Sequence, residues 1–242
     1  MYFYAKNPFF MIRLSVNINK IALIRNSRGA NLPDLCQVTK DLERFGAQGI
    51  TVHPRPDERH IRFSDLPLLR EVVKTEFNIE GYPSPYFIDQ VLGCSPDQVT
   101  LVPDPPDALT SNSGWDTRNQ LEFLKPIVRK FKDRGIRVSL FLNPEPELVY
   151  FAAKTGTDRI ELYTGLYSAH YSNNPQAAVS PHVLTAFEAE KFKLGLNAGH
   201  DLNLTNLSYY KDQVAGLMEV SIGHALVCDA LYFCLLYTSR CV

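Results

Sequence analysis

The sequence predicts a single α/β domain whose eight parallel strands close into a (β/α)8 barrel. Three observations predict it. Eight short runs rich in Val, Ile, Leu and Phe recur along the chain. Their starts fall about every 30 residues, the length of one strand-plus-helix unit. The stretches between them carry helix signals rather than hairpin turns. The runs are 12–18 (IRLSVNI), 49–53 (GITVH), 76–80 (EFNIE), 98–103 (QVTLVP), 136–143 (IRVSLFLN), 159–163 (RIELY), 193–197 (KLGLN) and 219–223 (EVSIG). Strands alternating with helices at this spacing favour the closed TIM-barrel arrangement. An open doubly wound sheet is the alternative. It usually carries a G-x-G-x-x-G turn after its first strand, and Asn17-Ile18-Asn19-Lys20 is not that turn.

The helices follow in order. Leu35, Val38, Leu42 and Phe45 form one face, closed by Gly46. Ser64 is an N-cap for the segment with Leu66, Leu69 and Val73. Ser84-Pro85 pairs an N-cap with Pro at the first helical position, and Gly93 ends that helix. Leu121, Leu124, Val128 and Phe131 stripe the fourth helix before Gly135, and Leu148, Phe151 and Ala152 the fifth before Gly156. Ser180-Pro181 opens the sixth, and Leu204, Leu207 and Tyr210 mark the seventh. An eighth begins within 225–233 but runs into 234–242 (CLLYTSRCV), where no stripe continues, so the last helix is expected to be truncated. Residues 1–10 precede the first periodic residue. The single domain is therefore assigned to 11–233, with 1–10 and 234–242 expected to be non-native or disordered ends.

Composition excludes several function classes. The 25 Lys+Arg against 26 Asp+Glu leave a net charge of −1, which argues against a nucleic-acid arm or a polybasic membrane patch. The five cysteines, Cys36, Cys94, Cys228, Cys234 and Cys241, are odd in number and lack a C-x-x-C spacing. They read as reduced thiols of a cytoplasmic protein rather than a disulfide frame or zinc site. No apolar run reaches the roughly 18–20 residues of a membrane helix, and 1–10 has no signal-peptide cleavage site. No nucleophile elbow, Walker loop or H-E-x-x-H is present.

In this fold, chemistry gathers where strands end and βα loops begin. Those positions offer Asn17 and Asn19 after strand 1, His53 and Arg55 after strand 2, and Glu80 ending strand 3. Thr110 follows strand 4, Glu161 and Thr164 come with strand 6, Asn197 and His200 with strand 7, and Gly223-His224 with strand 8. One strand-end histidine reads first as a structural or solvated imidazole; three from separate strands suggest acid/base work. The stiff loop His53-Pro54-Arg55-Pro56-Asp57-Glu58-Arg59-His60 reads either as a solvated loop with internal ion pairs or as an imidazole beside cations for a phosphate. Glu80 at the barrel mouth reads as a base with a raised pKa, or as a carboxylate neutralised by a neighbouring Arg. Gly223-His224 sits where barrels bind phosphate through backbone N–H groups, or is an ordinary turn. Another phosphate-handling isomerase or aldolase fits the same inventory, although a Schiff-base enzyme needs a strand-borne Lys and Lys193 begins strand 7 at the wrong end; an inactive truncated gene product is the other alternative.

The segments 16–29 (VNINKIALIRNSRG), 49–61 (GITVHPRPDERHI), 77–84 (FNIEGYPS), 98–116 (QVTLVPDPPDALTSNSGWD), 159–167 (RIELYTGLY), 195–203 (GLNAGHDLN) and 220–226 (VSIGHAL) resemble the pyridoxine 5′-phosphate synthase family. The resemblance covers about 11–233 in order. It implies a (β/α)8 oligomer, typically an octamer, that needs no cofactor and no metal. It also implies a transferase-class reaction joining 3-amino-2-oxopropyl phosphate to 1-deoxy-D-xylulose 5-phosphate, with phosphate and water released. By the resemblance, His53 and Glu80 accept protons, His200 donates one, and Glu161 stabilises a charged transition state. Asn17, Arg28, Gly223 and His224 hold the aminoketone phosphate; Arg55, His60 and Thr110 hold the deoxyxylulose phosphate. The partners it implies are these two phosphorylated small molecules, with neither nucleic acid nor membrane. Two departures stand out. Asn19-Lys20 replaces the Asp-His of many members, which alters the contacts there, and Lys20 keeps a point charge for a phosphate. Asp201 stands where the family often has Gly with a backbone contact to substrate.

Overall fold

Side-chain alternation along a strand decides which residues meet the helices and which face the barrel axis. The computed structural model describes residues 11–104 and 110–238. In it, β1 (Arg13–Asn17), β2 (Gly49–Val52), β3 (Glu76–Gly81), β4 (Gln98–Leu101), β5 (Arg137–Leu142), β6 (Arg159–Tyr163), β7 (Gly195–Gly199) and β8 (Leu217–Ile222) pair in parallel in chain order, and β8 returns to β1. This is the predicted (β/α)8 barrel. Strand 7 lies two residues later than its sequence run because Lys193 adopts φ +56, a turn conformation incompatible with a strand.

The outward positions are apolar and buried: Val16, Ile50, Phe77, Val99, Leu140 and Ile160 pack against the helix ring. The inward positions are mostly polar, with Phe141 on β5 an aromatic exception beside Tyr163. Ser15 and Thr51 share a hydrogen bond of 2.7 Å, Asn78 Nδ2 donates to Thr51 Oγ1 at 3.2 Å, and Thr100 Oγ1 donates to Asn78 Oδ1 at 3.1 Å. Below this belt, Glu76 pairs with Arg13 (3.5 Å) and Arg137 (2.5 Å), while Arg159 pairs with Glu219 (3.7 Å). Barrel interiors are usually filled by Val, Ile and Leu. Here the hydrophobic core lies between strands and helices, and the lumen holds hydrogen-bonded polar groups.

The helices are α1 (Asn19–Asn26), α2 (Leu35–Arg44), α3 (Asp65–Val72), α4 (Pro85–Cys94), α5 (Leu121–Lys132), α6 (Pro146–Thr155), α7 (Gly165–Tyr171), α8 (Pro175–Lys191), α9 (Leu207–Gln213) and α10 (His224–Thr238). Ser84 caps α4 as its sequence predicts, accepting from the Phe87 N–H at 3.2 Å. Ser64 precedes α3, but its hydroxyl does not cap it; the Asp65 carboxylate instead accepts from the Arg62 N–H at 2.8 Å. The sixth predicted helix opens at Asn174-Pro175 rather than Ser180-Pro181. Asn174 Oδ1 caps Ala177 N–H at 3.0 Å, and Pro181 is carried inside α8. The short α1 and α7 have no counterpart in the sequence reading.

The expectation of a truncated last helix is corrected. α10 spans 15 residues and runs through Phe233 to Thr238. Its residues are apolar on most sides, so no stripe marked it, yet Ala and Leu are good helix formers. The expectation for 1–10 and 239–242 lies outside the described residues. Among the described residues, no helix is long and apolar enough to cross a membrane.

One buried ion pair ties α1 to the start of α3. Arg25 donates to both Asp65 oxygens at 2.7 and 2.8 Å and to the His60 carbonyl at 3.1 Å. Arg25 and Asp65 are 5% and 11% exposed, so removing one strands the other without water. Arg25→Ala is expected to lower the unfolding free energy by about 3–5 kcal/mol, measured as a lower urea midpoint at pH 7 with an unchanged slope.

Candidate active site

The C-terminal ends of the strands carry two clusters. In the first, β2 delivers His53 and β3 delivers Glu80, with Nδ1 and Oε2 3.7 Å apart. The Asn19 side chain fixes the end of β2 by accepting from the His53 N–H at 2.9 Å, and Asn17 Oδ1 accepts from the Asn19 N–H at 3.0 Å. Both asparagines therefore commit a side-chain oxygen to the scaffold. Burial drives His53 well below the usual imidazole range, helped by the Arg55, His60 and Arg59 charges. Burial pushes Glu80 up to about 8; the Asp104 anion adds to this, Arg55 opposes it and Glu219 adds again. At neutral pH the pair is thus a neutral imidazole beside a carboxylic acid, not an ion pair.

His60 closes the same loop. Its Nδ1 accepts from the Ile61 N–H at 2.9 Å, which leaves the proton on Nε2. Burial, then Arg55, Arg59 and Lys20, lower it to about 4. Arg55 Nη2 lies 2.7 Å from Asp104 Oδ2, and Ser111 Oγ donates to the same oxygen at 2.6 Å. A cavity of about 520 Å³ opens here, with His53, Arg55, Asp104, Tyr82, Tyr86 and Phe63 in its lining.

The second cluster surrounds His200. Its Nδ1 meets Asp201 Oδ2 at 2.7 Å, its Nε2 meets Thr110 Oγ1 at 2.9 Å, and the Tyr163 ring stands edge-on at 5.2 Å. A carboxylate accepts only, so Nδ1 carries a proton and Nε2 faces Thr110. His200 and Asp201 have φ of +85° and +58°. The Thr164 hydroxyl donates to the His200 carbonyl, and Ser168, Asn203 and Asn206 donate to the Asp201 carbonyl. The His200 hydrogen bond, followed by the charges of His200, His224 and Lys20, holds Asp201 below the usual carboxylate range against its own burial. Lys20 thus lies within electrostatic reach of both clusters.

Glu161 sits deeper, 3% exposed. Burial and then the Glu80 charge keep it well above the carboxylate range, while a Thr100 hydrogen bond opposes them. It fits because residue 199 is Gly: a Cβ there would run into Glu161 Oε1. Gly223 likewise lets the chain approach Asn17, whose carbonyl would lie 2.5 Å from an added Cβ. His224 begins α10, with Nε2 3.5 Å from Cys228 Sγ. Arg28 is exposed beyond the end of α1, outside both clusters. Sequence reasoning missed Asp104, Ser111 and Tyr163; a carboxylate just past the end of β4 was the available signal for the first. Among the described residues, no three His, Cys, Asp or Glu side chains converge as metal ligands.

These groups set a pH dependence of stability. Glu80 and Glu219, both raised to about 8, keep protons in the fold that the unfolded chain releases near 4.5, so stability falls as pH rises between those values. His60 and His182, both lowered to about 4, act oppositely, but only up to about 6.5. Between pH 6.5 and 8 only the loss remains. The melting temperature is expected to fall over that window, and to fall less in Glu80→Gln.

The family model described as "Pyridoxal phosphate biosynthesis protein PdxJ" matches residues 14–240. The pyridoxine 5′-phosphate synthase of Bacteroides thetaiotaomicron is 58% identical over 222 residues, covering 92% of this chain and 94% of that protein. The synthase of Porphyromonas gingivalis is 55% identical over 230 residues, covering 95% and 97%. Among solved structures, the YdjI aldolase of Escherichia coli K12 matches with a TM-score of 0.64 at 13% identity, covering 93% of this chain and 80% of that one, a likeness of fold alone. With its barrel, its strand-end clusters and this extent of matching, the chain belongs to the PdxJ family of pyridoxal phosphate biosynthesis proteins.

Proposed function

We propose that the chain is a pyridoxine 5′-phosphate synthase, a transferase-class enzyme joining 3-amino-2-oxopropyl phosphate to 1-deoxy-D-xylulose 5-phosphate with release of phosphate and water. The observation that carries the reading is the neutral His53 imidazole beside the protonated Glu80 carboxyl, 3.7 Å apart at the barrel mouth. The names of relatives more than half identical over nearly their whole length support it.

Joining an amine to a ketone and closing a ring moves protons at carbinolamine dehydration, enolisation, phosphate loss and cyclisation. Each positioned acid or base is worth roughly 10²–10⁴ in rate. Neutral His53 is a base ready at pH 7. Glu80, mostly protonated below pH 8, returns a proton and then accepts the next. His200, with Nδ1–H held by Asp201, delivers from Nε2 the second proton it carries as an imidazolium, and returns to the neutral ring. Glu161 offsets positive charge developing above it. Arg55, His60 and Thr110 take one phosphate, with the His60 Nε2–H as donor. Gly223, His224 and Asn17 take the other at the N-terminal end of α10, where backbone N–H groups favour an anion. Arg28 and Lys20 add charge from the loop and from α1, and Asp201 serves His200 rather than a substrate. Holding both substrates in one mouth converts a bimolecular encounter into an oriented one. The working form is a homo-oligomer in the cytoplasm.

Incubating the purified protein with both phosphates is expected to produce the pyridine chromophore. His53→Ala is expected to lose turnover by at least about 10², the low end for a positioned base, with its melting temperature within a few degrees of the parent. Normal turnover in that variant overturns the role given to His53, and the absence of any chromophore from the parent chain overturns the synthase reading.

A further inference from the structure

A buried guanidinium close to a carboxyl group ordinarily pairs with it and removes its basicity. Arg55 stands in the same cavity wall as His53, and its charge reaches Glu80. Yet it pairs with Asp104, at 2.7 Å, with each side chain only 5% exposed. Asp104 is itself held by Ser111 Oγ at 2.6 Å, from the loop that also brings Thr110 to His200. We infer that Asp104 is a positioning residue: it anchors Arg55 on the cavity wall, keeps the guanidinium off Glu80, and leaves the remaining guanidinium N–H groups for a substrate phosphate.

The charged and titratable groups around Glu80 come from five elements. They are His53 at the end of β2, Arg55 in the loop beyond it, Asp104 beyond β4, Glu161 on β6 and Glu219 on β8. Arg55 is the sole cation among them, and Asp104 is the anion that engages it directly. Removing the Asp104 charge deletes one influence that keeps Glu80 protonated and frees the cation that opposes it. Both changes act in the same direction, toward easier ionisation of Glu80.

The inference rests on the synthase reading for its consequence in catalysis, but its test does not need turnover. The Glu80 carboxyl is titrated by ¹³C NMR in the full-length chain and in Asp104→Asn, which keeps an acceptor for Ser111 and removes the charge. The parent is expected to titrate near 8. Asp104→Asn is expected to titrate lower by about 1–3 pH units, the range for a carboxyl gaining a close cation. Asp104→Glu, which restores the charge, is expected to return most of the shift. The alkaline limb of kcat/KM, where the protonated Glu80 is lost, should move with the NMR midpoint. A purely structural ion pair would lower the melting temperature and leave both midpoints in place, and that result overturns the inference. If Asp104→Asn does not fold, Asp104→Asn with Arg55→Gln leaves no unpaired buried charge. Its Glu80 midpoint is expected to stay near the parent's, because opposing influences are lost together, and a fall of more than one unit overturns the inference. Absence of the pyridine chromophore from the parent chain overturns the synthase reading while the NMR comparison still decides the role of Asp104.

Discussion

Carboxyl groups confined with little water cannot all ionise, and this governs the interior of the barrel. Glu219 near the bottom, Glu161 midway and Glu80 at the mouth are each pushed upward first by burial and then by a neighbouring carboxylate: Glu76 for Glu219, Glu80 for Glu161 and Asp104 for Glu80. Their titration belongs to the set rather than to single residues. Only Glu76, between Arg13 and Arg137, has two cations beside it. The lumen thereby holds protonatable groups along the barrel axis, with the uppermost beside a neutral imidazole.

That arrangement needs a barrel wall built with its polarity reversed from the usual one. Apolar side chains such as Ile50, Phe77 and Ile160 are consumed by the helix ring, which supplies the burial that drives folding. Across the first four strands, inward hydroxyls and amides bond to one another, from Ser15 through Thr51 and Asn78 to Thr100. This belt fixes the strands that aim His53 and Glu80, while buried atoms of Gln98, Ser139 and Glu219 lie outside it without a hydrogen-bond partner. Trp115 does similar work for the long loop after β4, donating Nε1–H to the Leu101 carbonyl at 2.9 Å and stacking on Tyr82.

The His200 cluster uses local strain. A non-glycine residue at positive φ is costly, and two occur in succession at His200 and Asp201. Their carbonyls are over-determined by donors from Thr164, Ser168, Asn203 and Asn206. Asp201 also supplies a side-chain acceptor for the imidazole that Gly at the same position cannot. The departure from the family pattern noted at this residue therefore gives His200 a fixed tautomer.

The eight strands, most of the helices and the identity of the strand-end residues were legible because period-2 and period-3.6 patterns and Gly or Ser-Pro boundaries are local properties of a chain. Gly46, Gly135 and Gly156 end helices at φ of +109°, +73° and +86°, as a residue without Cβ allows. The short α1 and α7 escaped because neither opens with a side-chain cap, and the end of α10 because its mostly apolar residues mark no single face. Resemblance singled out His53, Glu80, Glu161 and His200, but no sequence states that Arg55 turns to Asp104 rather than Glu80, or that Arg25 reaches across 40 residues to Asp65. Those pairings, and the protonation states they impose, depend on burial and distance between separate stretches of chain, and closure of the barrel creates both.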